Sequence, residues 1–90
     1  MTLYIPDLID GKAVTSIAES AFDGYWEFSS VIIPDSITTI NDYAFAECTG
    51  LTFVTIPNSI TVLDGTFYGC TGLTSVIIPD SVTSIGEGAF

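Results

Sequence analysis

The sequence predicts a repeat solenoid built mostly of short parallel β-strands, because its residue pattern returns with a nearly fixed period. Pro34 and Pro57 are 23 residues apart and Pro57 and Pro79 are 22 residues apart, each after a segment rich in Val and Ile. Phenylalanine recurs with the same period, at Phe22, Phe45, Phe67 and Phe90. Such a period is typical of chains in which each coil buries its apolar face only against its neighbours. We expect one domain over residues 1–90, with about three and a half coils bounded approximately at 1–27, 28–50, 51–72 and 73–90.

Each coil contains an alternating apolar segment that predicts a strand. In the third coil, Val54 and Ile56 point to one face of the strand and Thr55 to the other. The β-branched side chains favour extended backbone. Pro57 ends the strand because proline cannot donate to a sheet ladder, and the Pro-Asn-Ser that follows is typical of a turn with proline at its second position.

A second apolar pair follows the turn in every coil and predicts another short extended segment. The pairs are Val14 and Ile17, Ile37 and Ile40, Ile60 and Leu63, and Val82 and Ile85. An acid and then Ala-Phe come next, as in 42–45, and this order predicts one short α- or 3-10-helical turn per repeat. The third coil is one residue shorter here, so its turn should be tighter. The first coil carries additional residues 9–13, which predict a small hairpin or loop around Asp10-Gly11.

The composition excludes several classes of function. Eleven acids oppose one basic residue, Lys12, and the formal net charge is −10. Nucleic-acid binding needs Lys and Arg to neutralise phosphates, and anionic membrane surfaces would repel the chain. Apolar runs such as 31–33 are much shorter than the roughly 20 residues that span a bilayer. The charge favours solubility, and it also suits basic or calcium-bridged partners.

The sequence offers no arrangement of residues for catalysis. Histidine is absent, and no glycine-rich phosphate-binding motif is present. We therefore expect neither an enzyme nor a bound cofactor. The first residues lack the basic and apolar regions of a signal peptide, and the chain stops partway through a repeat, so we expect a piece of a longer protein.

Cysteines and acids fall at repeated positions and allow alternative interpretations. Cys48 and Cys70 occupy the same point of adjacent coils, where they are small buried apolar residues or, less simply, a disulfide or a two-thiolate metal site. Acids follow the turn prolines, where they cap the turns or bind calcium weakly. These residues are Asp7, Asp35 and Asp80, with Asn58 in the same column. Trp26 either fills an irregular end of the core, which we favour because Tyr25 and Phe28 occupy core positions, or anchors a partner.

The outward face of the predicted sheet is the best candidate for a binding surface. Strand alternation points two rows of side chains away from the core. These candidate protein-binding residues are Ser30, Phe53 and Ser75 in one row, and Ile32, Thr55 and Ile77 in the other. Phe53, Ile32 and Ile77 are more apolar than a solvent-exposed sheet face requires. Exposed solenoid faces are frequent recognition surfaces, although such side chains also stabilise cross-strand pairs.

The repeat resembles the BspA-type leucine-rich repeat, also known from treponemal surface proteins. The family pattern, L-x-x-V-x-I-P-x-x-V-x-x-I-x-x-x-A-F, is matched by residues 73–90, and residues 5–17 resemble the start of such arrays. The first coil departs from the pattern, with Tyr25-Trp26-Glu27-Phe28 where later coils have Cys-Thr-Gly-Leu. The resemblance implies a curved right-handed solenoid. Members of the family are often secreted or surface-attached proteins that are implicated in binding host proteins and in adhesion.

These observations predict a protein-interaction or adhesion module that is extracellular or at a cell surface. It would bind a protein ligand, such as a host extracellular protein, through the exposed sheet face. The alternative is a structural spacer or self-assembling repeat. Self-association through open solenoid ends would follow from the partial coil at Phe90, which leaves a sheet edge unpaired.

Overall fold

The computed structural model describes residues 1–90 and shows a β-solenoid of about three turns, with no helix. Its strands are short because a proline or a polar turn follows each apolar segment. In chain order they are β1 (Thr2–Tyr4), β2 (Leu8–Ile9), β3 (Lys12–Ala13), β4 (Ser16–Ile17), β5 (Ser30–Ile32), β6 (Thr39–Ile40), β7 (Phe53–Thr55), β8 (Val62–Leu63), β9 (Ser75–Ile77) and β10 (Ser84–Ile85).

The main sheet is parallel, with the strand order β1-β5-β7-β9. Its register places like residues over like: Val31 pairs with Val54, and Val54 pairs with Val76. Val31 and Val54 are buried, and the residues on either side of them point away from the core. The alternation predicted from the sequence is therefore confirmed, and it leaves one face of the sheet outside the core.

Two-residue strands form a second set of ladders beyond the proline turns. β4 pairs with β6 and β8 pairs with β10, both in parallel, which confirms the second extended segment. β2 and β3 form an antiparallel hairpin whose turn has positive φ at Asp10 (52°) and Gly11 (77°). Two consecutive left-handed residues favour the twist of a tight hairpin, as the Asp-Gly pair predicts.

The predicted helical turn is wrong, because backbone N–H groups in this segment alternate between two kinds of partner. The N–H of Ala44 donates to the Asn41 carbonyl (3.3 Å), but the N–H of Phe45 donates to the Thr66 carbonyl of the next coil (2.9 Å). Tyr43 has a φ of 60°, which a right-handed helix does not accept. The segment is thus a pair of successive turns that also forms a ladder between coils.

The recurring phenylalanines form a continuous stacked column, as the period predicts, and its two central members are buried. Neighbouring rings are nearly parallel, with centroids 5.3 Å apart for Phe22 and Phe45, 5.5 Å for Phe45 and Phe67, and 5.6 Å for Phe67 and Phe90. Phe45 and Phe67 are fully buried. Phe28 meets Phe45 edge-on at 6.5 Å and closes the column on one side. The column ties adjacent coils together through the core.

The second ladder is interrupted between the second and third coils. The N–H of Thr38 donates to the Thr15 carbonyl (2.8 Å) and that of Thr83 to the Thr61 carbonyl (2.8 Å), but the N–H of Thr61 makes no such bond to Thr38. β6 and β8 accordingly do not pair with each other. The third coil is the one that lacks a residue, and the N–H of Thr66 bonds there to the Asp64 carbonyl two residues earlier. The turn is tighter, as predicted, and the hydrogen bonds of the second ladder are missing next to it.

We expect the amide of Thr61 to exchange with solvent faster than those of Thr38 and Thr83. Hydrogen exchange reports local opening, and an amide without a hydrogen bond needs no opening to exchange. Each threonine follows a β-branched apolar residue (Ile37, Ile60 or Val82), so their intrinsic exchange rates are closely matched. Residue-resolved exchange measured by NMR tests this directly. Equal protection of all three amides would show that the ladder is continuous.

Candidate functional site

The outward face of the main sheet carries the two predicted rows of side chains. One row is Ser30, Phe53 and Ser75, and the other is Ile32, Thr55 and Ile77, as the strand register requires. Ile32 is 47% exposed and Ile77 is 54% exposed, although both are apolar. Phe53 is only 37% exposed. The row with Ile32 and Ile77 therefore presents the larger apolar surface to solvent.

That row forms the wall of an open groove of about 620 Å³ at the carboxyl ends of β5, β7 and β9. The other wall comes from the proline turns, which bring Asp35, Asn58 and Asp80 beside the apolar row. The three residues of the other row do not line this groove. The structure thus brings together half of the residues predicted from the sequence and adds a charged border to them.

Sequence reasoning missed Tyr4, which extends the same row to a fourth strand. β1 pairs with β5, and Tyr4 lies opposite Ile32 with 71% of its side chain exposed. A signal was present: Tyr4 precedes Pro6 by two residues, just as Ile32 precedes Pro34. The exposed row therefore runs over Tyr4, Ile32, Thr55 and Ile77.

The acids beside the prolines neither cap the turns nor assemble a metal site. In the turns, the N–H of Ile37 donates to the Pro34 carbonyl (3.2 Å), so proline takes the first position of the turn rather than the second. In two turns the serine two residues after the proline bonds to the preceding coil instead: the Ser81 hydroxyl donates to the Ile60 carbonyl (2.8 Å) and the Ser59 hydroxyl to the Ile37 carbonyl. No group of three or more His, Cys, Asp or Glu side chains that could hold a metal ion exists in the chain. Asp35 and Asp80 remain free to act as surface charges.

The cysteines are free thiols, and the interpretation as small core residues fits them best. Cys48 is fully buried and its thiol donates to the Phe22 carbonyl at 3.2 Å, while Cys70 is half-buried and donates to the Phe45 carbonyl at 3.0 Å. Hydrogen bonding with the Cys70 thiol and burial raise the pKa of Cys48 far above its ordinary value. Burial of the Cys48 thiol and the bonds of both thiols to backbone carbonyls favour the role of small core residues.

The expectation that Trp26 fills the core is wrong. Trp26 is 67% exposed and Tyr25 is 58% exposed, and only Phe28 enters the core. Tyr25 occupies the position of Cys48, and its ring only meets Phe22 edge-on at 6.0 Å. The space that the cysteine side chain fills in the next coil is too small for a tyrosine ring, so this segment of the first coil turns outward.

Comparison with known proteins supports the fold in detail. The family model of the BspA type leucine rich repeat region matches residues 5–90 in six copies. A leucine-rich repeat protein from Bacteroides ovatus is 33% identical over the whole chain, with a TM-score of 0.93. A leucine rich cell surface protein from Faecalibacterium prausnitzii is 34% identical over 99% of the chain, with a TM-score of 0.88. The leucine rich repeat protein of T. pallidum is 27% identical over 98% of the chain, with a TM-score of 0.73.

The chain spans 25% of the length of the Bacteroides protein, 22% of the Faecalibacterium protein and 52% of the T. pallidum protein. No curated protein matches it. The structure holds no apolar helix of membrane-spanning length. Since the family model covers nearly all of the sequence and the coils superpose on solved members, the chain belongs to the BspA-type leucine-rich repeat family.

Proposed function

We propose that the chain is a protein-binding module that recognises its ligand through the groove on the exposed sheet face. The observation that carries the proposal is the row containing Ile32 and Ile77, which stays about half exposed although apolar side chains are favoured in the core. The groove is bordered by Asp35 and Asp80, which supply charge at its rim. An apolar centre with a polar rim is the usual anatomy of a protein interface.

The proposed setting is a secreted or surface-attached protein that meets a host extracellular protein. The Faecalibacterium relative is described as a cell surface protein, and it shares the whole coil architecture with this chain. The mechanism needs no cofactor. The ligand covers the apolar row, and water leaves Ile32 and Ile77, which supplies the free energy of binding. Basic groups at the edge of the ligand pair with the acids.

Replacing Ile32 and Ile77 together by serine is expected to weaken binding about 30-fold. Each side chain exposes about half of its surface, so covering it contributes about 1 kcal/mol. The measurement is surface plasmon resonance of the chain against an immobilised extracellular-matrix extract. Because both positions are exposed in the free protein, the fold should be unaffected, which circular dichroism checks.

The matched control replaces Val62 and Ile85 by serine. These side chains are 45% and 51% exposed but lie on the second ladder, outside the groove. The control should bind as the unchanged chain does. Equal losses for both double variants, or no loss for Ile32→Ser with Ile77→Ser, would reject the groove as the binding surface.

A second candidate function, self-association, has its own supporting observation. Phe90 is 47% exposed although it stacks on the buried Phe67, and Ile78 is 40% exposed although its equivalents Ile33 and Ile56 are buried. A second copy that stacks on this coil would cover both residues. A molar mass that rises with concentration in sedimentation experiments, and falls for Phe90→Ser, would support assembly over ligand binding.

A further inference from the structure

A separate cluster of exposed aromatic and acidic side chains lies on the turns that precede β7 and β9, outside the groove. We call it the Tyr-Glu patch, formed by Tyr43, Glu47 and Tyr68. The two tyrosines are 46% and 49% exposed, their ring centroids are 6.1 Å apart, and the rings are nearly perpendicular. The backbone N–H of Glu47 donates to the Tyr68 carbonyl at 2.7 Å, and the Glu47 carboxylate lies against Gly69, the residue that follows Tyr68.

Glycines on the following coil leave space for these side chains to lie close to the surface. A Cβ atom added at Gly65 would be 3.0 Å from Cε1 of Tyr43, and one added at Gly69 would be 2.7 Å from Cδ of Glu47. Tyr68 lies over Gly88 in the same way, at 3.5 Å. Each side chain of the patch therefore lies over a glycine of the next coil, which leaves room for it there.

The backbone at Tyr43 and Glu47 adopts a conformation that glycine would adopt with less strain. Tyr43 and Glu47 have φ values of 60° and 56°, in the left-handed region that disfavours residues with a Cβ atom. At the position of Glu47 the other coils place Gly24 and Gly69, and at the position of Tyr43 the last coil places Gly88, while Ser20 in the first coil has the same left-handed φ (58°). Strain of this kind is concentrated at functional sites, where the side chain does something that glycine cannot.

The charge of the chain indicates what the patch binds. Lys12 is the only basic side chain, so at most one of the eleven acids can be neutralised by a side chain within the protein. Aromatic faces attract ammonium and guanidinium groups, and a carboxylate beside them adds a charge-assisted hydrogen bond. We propose that the Tyr-Glu patch binds a Lys or Arg side chain from a basic segment of a partner protein. This site is separate from the groove and does not depend on the function proposed for it.

The test uses a short capped peptide of alternating Arg and Ser, and its twin in which citrulline replaces every Arg. Citrulline keeps the shape and most hydrogen bonds of Arg but carries no charge. The Arg peptide should shift the NMR signals of Tyr43, Glu47 and Tyr68, and the citrulline peptide should not. Shifts spread evenly over all the acidic regions of the chain, comparable shifts with citrulline, or no shifts with the Arg peptide would each overturn the proposal.

The decisive variant is Tyr43→Gly with Glu47→Gly, because glycine suits the backbone at both positions. It should weaken binding of the Arg peptide about tenfold or more. Its melting temperature should fall by no more than about 4 °C, since relief of strain offsets the lost contacts. The matched control is Trp26→Ser with Glu27→Gln, which removes one exposed aromatic ring and one acid elsewhere on the chain. Similar losses of affinity in both double variants would show attraction to net charge only and reject the patch.

Discussion

Replacing Phe45 by alanine is expected to lower the free energy of unfolding by about 4 kcal/mol. Its ring is fully buried, stacks on Phe22 and Phe67, and meets Phe28 edge-on. Removing it leaves a cavity that the column cannot close, because the backbone ladders hold the coils at a fixed distance. A domain of this size has a total stability of about 5–15 kcal/mol, so the variant should retain only a small part of it.

Thermal unfolding followed by circular dichroism measures this effect, and the melting temperature should fall by about 20 °C. Phe90→Ala is the matched control, because the same ring is removed from a position that is 47% exposed and has one stacked neighbour, Phe67. The control should lower the melting temperature by about 5 °C. A fall below about 4 °C for Phe45→Ala would show that the column does not stabilise the fold.

The column was predictable from the sequence because stacking turns a period along the chain into contacts in space. Phe22, Phe45, Phe67 and Phe90 need no tertiary information beyond the repeat itself to be placed over one another. The hairpin at Asp10-Gly11 was predictable for a different reason, since the local preference for positive φ is a property of the two residues alone. Stacking between coils is enough to determine the first feature, and the local backbone preference is enough to determine the second.

The segment 41–47 shows where this reasoning fails. Its acid followed by Ala-Phe suits a helical turn, but the N–H groups of Phe45 and Glu47 bond to the next coil, at 2.9 and 2.7 Å. Tertiary hydrogen bonds outweigh local preference here, since a helix would leave the neighbouring carbonyls of Thr66 and Tyr68 without these donors. The sequence gives no sign of the φ of 60° at Tyr43, because tyrosine is not a residue that favours left-handed backbone.

The candidate site was predictable as a face but not as a groove. Alternation along the strands is enough to place Ile32 and Ile77 outside, because a strand has only two faces. Which of the two exposed rows lies beside the acids depends on the direction in which the proline turns fold at the strand ends. The periodic sequence pattern does not specify that direction. The break in the second ladder at Thr61 was likewise not predictable. The missing residue of the third coil is visible in the sequence, but the hydrogen bonds that its absence breaks are not.

Replacing Gly50 by alanine is expected to destabilise the fold by about 3 kcal/mol, although it adds a single methyl group to a turn. A Cβ atom there would collide with the carbonyl oxygen of Trp26, and Gly72 makes the same approach to the carbonyl oxygen of Thr49 at 2.5 Å. The obstructing atoms belong to the backbone of the preceding coil, so they cannot rotate away as a side chain does. The coils must separate locally, which disturbs both the ladder and the core.

The melting temperature of Gly50→Ala should fall by about 15 °C, measured by the same thermal unfolding. Gly65→Ala is the control, because its Cβ atom would meet only the ring of Tyr43, at 3.0 Å from Cε1, and that ring is partly exposed and can move. Its effect should be below about 1 kcal/mol, or about 5 °C. If the two variants melt together, the spacing of the coils does not require glycine at position 50. If only Gly50→Ala is destabilised, the Thr-Gly step that recurs before Leu51 and Leu73 sets how closely successive coils approach.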